Sequence, residues 1–280
     1  MNSDSLSEDV LSLHREIRRL RKSLSELTPP LFVLLKRRGF RIYKREPADD
    51  LLLPEKRFLD DYYETLKKYS FRLFLRDVIK HQAFFTPALV TRYATAAVTE
   101  EYIAYLRKVG LVVPLGDGFQ LVPGPIKSFG ETLEWFVAEI FRREFATEAM
   151  WGVRFKRPKV GGDYDLIAKV DGSILYMEIK SSPPKQIYQN EIAAFFDRVG
   201  DLAPEISIFF VDTELRMKDK IVPMFEEEWR GRKRESPEIV RMEKELFQIQ
   251  DRLFIVNAKD SIAANIEKVL IWYFRKAGAS

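Results

Sequence analysis

Residues 161–182 constrain this chain more than any other stretch. They read Gly-Gly-Asp-Tyr-Asp-Leu-Ile-Ala-Lys-Val-Asp-Gly-Ser-Ile-Leu-Tyr-Met-Glu-Ile-Lys-Ser-Ser. Two apolar-rich runs, 166–170 and 174–179, flank Asp171 and Gly172. An Asp-Gly pair between strand-like runs predicts a tight hairpin, because both residues tolerate the positive φ that such a turn requires. Side chains alternate along a strand, so Glu178 and Lys180 share a face and Ile179 points the other way. The hairpin brings Asp165 back to the same end. Two carboxylates and an ammonium gathered there are costly unless they pair or have chemistry to perform.

The rest of the composition narrows that chemistry. There is no Cys, and His14 and His81 are the only histidines, so thiolate sites and zinc held by several histidines are excluded. A metal here must be held by carboxylates, which favours magnesium or manganese. No apolar run is long enough to span a bilayer, and the polar N-terminus lacks a signal peptide, so no membrane partner and a cytoplasmic location are expected. Residues 1–125 carry 21 Lys and Arg against 16 Asp and Glu, whereas the remainder carries 25 against 26. The basic surplus therefore sits in the N-terminal part, compatible with a surface that faces nucleic acid.

At 280 residues the chain exceeds one typical domain. Residues 1–30 form a coiled-coil-like segment: Leu6, Val10, Leu13, Ile17, Leu20, Leu24 and Leu27 recur at spacings of four and three, and Pro29 and Pro30 end the run. Such a seam either dimerises or lies against the protein's own body. The narrow stripe, set among charged positions, favours a homodimer. Residues 31–54 read as a basic segment and linker: a short helix over 31–38 ended by Gly39, an extended piece over 40–44 and a linker over 46–54. Within this segment Lys36, Arg37, Arg38, Arg41, Lys44 and Arg45 form a candidate phosphate-binding cluster. Residues 55–124 resemble a winged-helix domain: helical patterns over 55–69, 70–81, a short piece after Thr86-Pro87 and 99–108, then a hairpin around Gly116-Asp117-Gly118 as the wing. The helix before the wing opens on Glu100 and Glu101, which suit the helix dipole but repel phosphate. Both DNA binding and protein contact remain open for this unit.

Pro123, Gly124 and Pro125 mark a boundary, and residues 125–280 change to alternating helices and strands. Helices are expected over 129–145, 185–199, 217–230 and 260–276. Strands are expected over 150–155, along both arms of the hairpin, over 206–211 and over 253–256. The charged stretch 231–248 reads as helical in its later part. Asp212 reads as a turn or cap residue after a buried strand. An α/β domain with a mixed sheet flanked by helices follows.

The order helix, strand, hairpin, helix, strand, with Asp165 and Glu178-Ile179-Lys180 so placed, resembles the PD-(D/E)XK nuclease superfamily. Gly130-Glu131-Thr132-Leu133-Glu134 resembles the helical glutamate element of several of its branches. The resemblance covers residues 129–257 and implies a restriction-endonuclease-like fold. It implies that Asp165 and Glu178 bind magnesium or manganese, that the Ile179 carbonyl completes the site, that Lys180 orients the attacking water, and that Glu134 steers a water or a second metal. Asp163 shares a face with Asp165 and is the alternative ligand; Asp165 is preferred because the apolar strand starts directly after it. Gln186 and Gln189 sit where some members place a residue beside the site. No proline precedes Asp165, which departs from the superfamily's name. The implied activity is metal-dependent endonucleolytic hydrolysis of duplex or structured DNA. The alternative is a non-catalytic DNA-binding or regulatory protein with an inactive nuclease fold.

Overall fold

The computed structural model describes Leu13, Glu16, Ile17, Arg19, Leu20, Ser23 and residues 29–122, 124–156 and 160–277. Most of the helix expected near the N-terminus lies outside the described residues; the six described ones are helical. No helix among the described residues is long and apolar enough to cross a membrane.

The Asp-Gly hairpin sits at the middle of the main sheet. Strand β5 (Tyr164–Val170) and strand β6 (Ser173–Lys180) pair antiparallel, and Asp171 (φ 47°) and Gly172 (φ 85°) make the turn. Around them run helix α1 (Leu31–Arg37), β1 (Ile42–Lys44), helix α6 (Gly130–Glu144), β4 (Glu148–Phe155), α7 (Gln189–Leu202), β7 (Ile206–Val211), α8 (Ile221–Lys233), β8 (Ile239–Glu243), β9 (Leu246–Ile249), β10 (Leu253–Asn257) and α9 (Ile262–Ala277). The strand order is β1-β4-β5-β6-β7-β10-β9-β8, with β6, β7 and β10 parallel and the other pairings antiparallel. Helices cover both faces, α6 and α9 on one and α1, α7 and α8 on the other. That double cover is why β7 is apolar at all six positions except Ser207 and buried throughout. This is the mixed α/β, restriction-endonuclease-like architecture expected.

Two stretches differ from expectation. The later part of 231–248 is not helical but forms the β8–β9 hairpin, turned at Lys244 (φ 47°). Its charges alternate along β8, which is half solvated; the four residues of β9 are buried because β10 lies beside them. Local charge density imitates a solvated helix there, and pairing with a distant strand overrides it. The stretch 31–54 has the short helix and extended piece expected, but both join the body of the sheet domain. Leu31, Leu35 and Phe40 enter the core, and β1 becomes the edge strand of the main sheet against β4.

Residues 55–122 form α2 (Leu59–Leu66), α3 (Tyr69–Lys80), α4 (Pro87–Val90) and α5 (Ala96–Lys108), then the hairpin of β2 (Val112–Leu115) and β3 (Gly118–Leu121). Phe85 bridges to Phe119 on the hairpin. Helix α5 starts earlier than the sequence suggests, capped by Thr95, whose hydroxyl accepts from the Val98 N–H at 3.3 Å. Glu100 and Glu101 therefore lie in its second turn, and its first turn carries no acidic residue. This corrects the dipole argument drawn from those two glutamates.

The helical unit shares one core with the sheet. Tyr63 meets Phe136 of α6 with ring centroids 5.4 Å apart, and Tyr62 meets Trp135 at 6.4 Å. Asp212, just after β7, is fully buried. It accepts from Arg72 Nε at 3.0 Å and Nη2 at 2.8 Å, and also from Arg76. It is thus the buried tie between α3 and the sheet rather than a turn or cap residue.

Candidate active site

Register builds the site. The β4–β5 and β5–β6 pairings put Gly152, Asp165 and Glu178 in one row across three strands. Directly opposed residues on neighbouring strands share a face, so the two carboxylates lie side by side. Gly152 has φ 56°, and a Cβ there would come within 2.4 Å of Pro47 Cδ. The missing side chain lets the chain between β1 and α2 pass over the sheet. There the Glu46 N–H donates to the Trp151 carbonyl at 2.9 Å, the Asp50 N–H to Glu131 Oε2 at 3.1 Å and the Leu52 N–H to Thr132 Oγ1 at 2.9 Å. These bonds fasten the N-terminal end of α6, which brings Glu134 Oε2 within 3.8 Å of a Cβ built at Gly152.

The result is a cleft of about 280 Å³ lined by Glu131, Glu134, Asp163, Asp165, Glu178, Lys180 and Arg198, with Pro47, Gly152 and Gly162 completing the wall. Five carboxylates face two cations, so the cleft is strongly acidic. Asp165 Oδ2 accepts from the Ile179 N–H at 2.7 Å. Glu178, 2% exposed, has Lys180 Nζ 2.9 Å from Oε1 and Arg198 Nη1 3.0 Å from Oε2, which also accepts from the Tyr176 hydroxyl. Lys180 Nζ also lies 3.2 Å from Glu191 of α7. Glu134 makes no hydrogen bond or ion pair among the described residues.

These environments shift the titrations. Burial, then the neighbouring Asp165 carboxylate, raises the Glu134 carboxyl well above its ordinary value. Burial and Glu178 push Asp165 up to about 8, against the pull of Lys180, the Ile179 N–H and Arg198. For Lys180, burial works against the charged form, but Glu178 and Asp165 outweigh it and hold the ammonium protonated.

The structure thus brings together Glu134, Asp165, Glu178, Lys180 and the Ile179 backbone. The Lys180 carbonyl accepts from the Asp212 N–H at 2.8 Å on the β7 side, so the polar groups of Ile179 face the β5 side, towards Asp165. Asp163 lines the cleft but is paired with Arg154 at 2.7 Å. Gln189 is turned to α8, donating to the Met224 carbonyl at 3.1 Å and to Glu228 at 3.2 Å, and Gln186 is exposed; neither lines the cleft. Of the six basic residues at 36–45, Arg38 pairs with Glu205, Lys44 with Asp49 at 3.3 Å, and Arg45 contacts the Met150 sulfur at 3.3 Å. Lys36, Arg37 and Arg41 are exposed.

Three participants escaped the sequence reading: Tyr176, Glu191 and Arg198. Tyr176 stands two residues before Glu178 on the same strand face, a spacing that was available as a signal. Glu191 and Arg198 are seven apart on α7, hence on one stripe beside its apolar face. That a charged stripe bordering the core points at Glu178 is a tertiary fact.

No protein-family model matches the chain, and no curated protein matches it. Among solved structures it is similar to Can2 from Sulfobacillus thermosulfidooxidans in complex with cyclic tetra-adenylate. That match has a TM-score of 0.45 and 14% identity and covers 84% of this chain and 58% of that one. It is also similar to protein VC1899 from Vibrio cholerae, with a TM-score of 0.39 and 13% identity, covering 66% of this chain and 52% of that one. The chain therefore spans less than two thirds of the length of either.

Proposed function

We propose that the chain is a metal-dependent DNA endonuclease of the PD-(D/E)XK type, acting on duplex or structured DNA as a homodimer, with residues 55–124 as a winged-helix unit. The observation that carries this reading is the convergence of Glu134, Asp165, Glu178 and Lys180 in one cleft with three more carboxylates than cations. Burial and mutual repulsion hold Glu134 and Asp165 against ionising, and a bound cation relieves that cost.

The donor set fits magnesium or manganese: every side-chain donor is a carboxylate oxygen, and Glu134 has no competing partner among the described residues. The described His, Asp and Glu residues form no group of three arranged to hold an ion by themselves. Magnesium does not need one, since it takes one or two carboxylates and keeps several waters. Asp165 and Glu178 would hold it, with the Ile179 carbonyl. When bound, it lowers the pKa of a water and offsets charge on the phosphate. Lys180, kept protonated by its carboxylate neighbours, orients the attacking water and stabilises the negative charge that develops on the phosphate. Asp165, fixed by the Ile179 N–H, holds its position without needing Lys180. Glu134 approaches from α6 and orients a second water.

The test is nicking of a supercoiled plasmid with magnesium or manganese, comparing wild type with Lys180→Ala. The loss expected is about 100-fold or more. Absence of cleavage above the variant on supercoiled, linear and single-stranded DNA overturns the reading. A second reading, a non-catalytic DNA-binding or regulatory protein, draws on the exposed Lys36, Arg37 and Arg41. It requires salt-sensitive DNA binding without metal that Glu178→Ala leaves unchanged.

A further inference from the structure

Arg198 is absent from the constellation that suggested a nuclease, yet it lies deep in the same cleft. Its side chain is 13% exposed and reaches Glu178 Oε2 through Nη1 alone, at 3.0 Å. A guanidinium has five N–H donors in a planar fork suited to carboxylate or phosphate. Here the fork does not close on Glu178. The buried Nε–H has no acceptor among the described residues. Nη2 lies over Gly162, where a Cβ would be 2.6 Å away; Gly162 has φ 90° and leaves the guanidinium lying against bare backbone at the cleft wall. A buried, under-satisfied donor set calls for an explanation, and an oxyanion supplies one.

The charge arrangement points the same way. Glu178 has Lys180 on one oxygen and Arg198 on the other. Lys180 has a second carboxylate in Glu191, so it remains partnered without Glu178. Among the described residues Arg198 has no other carboxylate in ion-pair contact, and its remaining side-chain partner is the Tyr176 hydroxyl. When Glu178 serves an ion, Arg198 is the cation left to find a new anion, and it already lines the cleft.

We infer that Arg198 is the phosphate-binding residue of this cleft, donating to a non-bridging oxygen of the phosphodiester while Glu178 holds its ion. This rests on the nuclease reading above. It also couples the two ligands: the ion displaces Arg198 from Glu178, and phosphate compensates the guanidinium so released. Each ligand then strengthens the other by the same factor.

The test uses the full chain with Arg198→Met and Arg198→Lys, both checked for wild-type circular dichroism. Manganese binding is measured by titration without DNA. Binding of a short DNA duplex is measured by anisotropy with calcium in place of magnesium. Arg198→Met is expected to bind manganese about tenfold more tightly, because Glu178 has lost a competing cation, and to bind duplex about tenfold more weakly. Arg198→Lys keeps the charge and so keeps wild-type manganese affinity, but it lacks the planar fork and is expected to bind duplex more weakly than wild type. A residue that merely positions Glu178 predicts weaker manganese binding in Arg198→Met, and one that merely balances charge predicts unchanged duplex binding; either result overturns the assignment while leaving the nuclease reading intact. Should Arg198→Met fail to fold, Arg198→Lys decides alone: a guanidinium fork on phosphate predicts weakened duplex binding at wild-type manganese affinity, and wild-type values for both overturn it. Failure of the wild type to bind manganese overturns the nuclease reading, and the Arg198 assignment with it.

Discussion

Arg72→Met tests the tie between the helical unit and the sheet. Arg72 and Asp212 are 2% and 0% exposed at their side chains, so the pair is out of water. The substitution removes the contacts from Nε at 3.0 Å and Nη2 at 2.8 Å, leaving Asp212 with Arg76 alone. It also removes the bond from Nη1 to the Leu66 carbonyl at 2.7 Å, which closes the C-terminal turn of α2. Stripping one partner from a buried ion pair costs about 3–5 kcal/mol. Arg76 keeps part of the compensation, so the lower end of about 3 kcal/mol applies, with about 1 kcal/mol more for the α2 carbonyl. Urea unfolding followed by circular dichroism should show this loss, with a drop in Tm of roughly 10 °C. Adding Asp212→Asn removes the stranded charge and should recover about 2 kcal/mol, a coupling that two independent sites would lack. Acid unfolding gives a second readout. Burial by itself raises the Asp212 carboxyl, but Arg72 and Arg76 outweigh it and hold the group below its ordinary range. Its contribution is therefore complete at neutral pH and disappears as pH falls below about 4. With Arg72 gone the carboxyl takes up its proton at higher pH, and the acid limb should move upward. A loss under about 1 kcal/mol with an unmoved acid limb refutes the argument.

Three further outcomes follow from the site and its supports. Glu134→Gln should raise stability in chelator at pH 8 and leave it unchanged near pH 4. The raised Glu134 pKa means that folding penalises the charged carboxyl as pH climbs above its ordinary value, and parallel melts at the two pH values check the sign; the same variant should lose cleavage. Gly152→Ala should cost about 1–3 kcal/mol by denaturant unfolding, since its Cβ meets Pro47 at 2.4 Å on a backbone at φ 56°; a neutral result disproves that the strap needs a glycine beneath it. For the homodimer proposed above, Ile17→Asp should halve the mass seen by light scattering, since Leu13, Ile17 and Leu20 are 62%, 42% and 60% exposed on a helical stretch; an unchanged mass removes the seam as its contact.

The hairpin and the charges it carries are legible from residues close together in the chain. Asp171 and Gly172 specify their own turn locally, and period-two alternation then places Glu178 and Lys180 on one face beside Asp165. The six buried positions of β7 and the helical glutamate of α6 were legible for the same reason: local periodicity and turn chemistry carry their own information. Other features depend on partners far away in the chain. Residues 239–249 become strands because β10 offers its edge, against a charge pattern that reads as helix. Residues 42–44 join the sheet because β4 is unpaired on that side. Asp212 meets Arg72 across 140 positions, and Arg198 meets Glu178 from a separate helix. Which charge neutralises which, and therefore what the cleft can bind, is set by long-range packing that brings opposite charges together in a low-dielectric interior. No local window of sequence contains it.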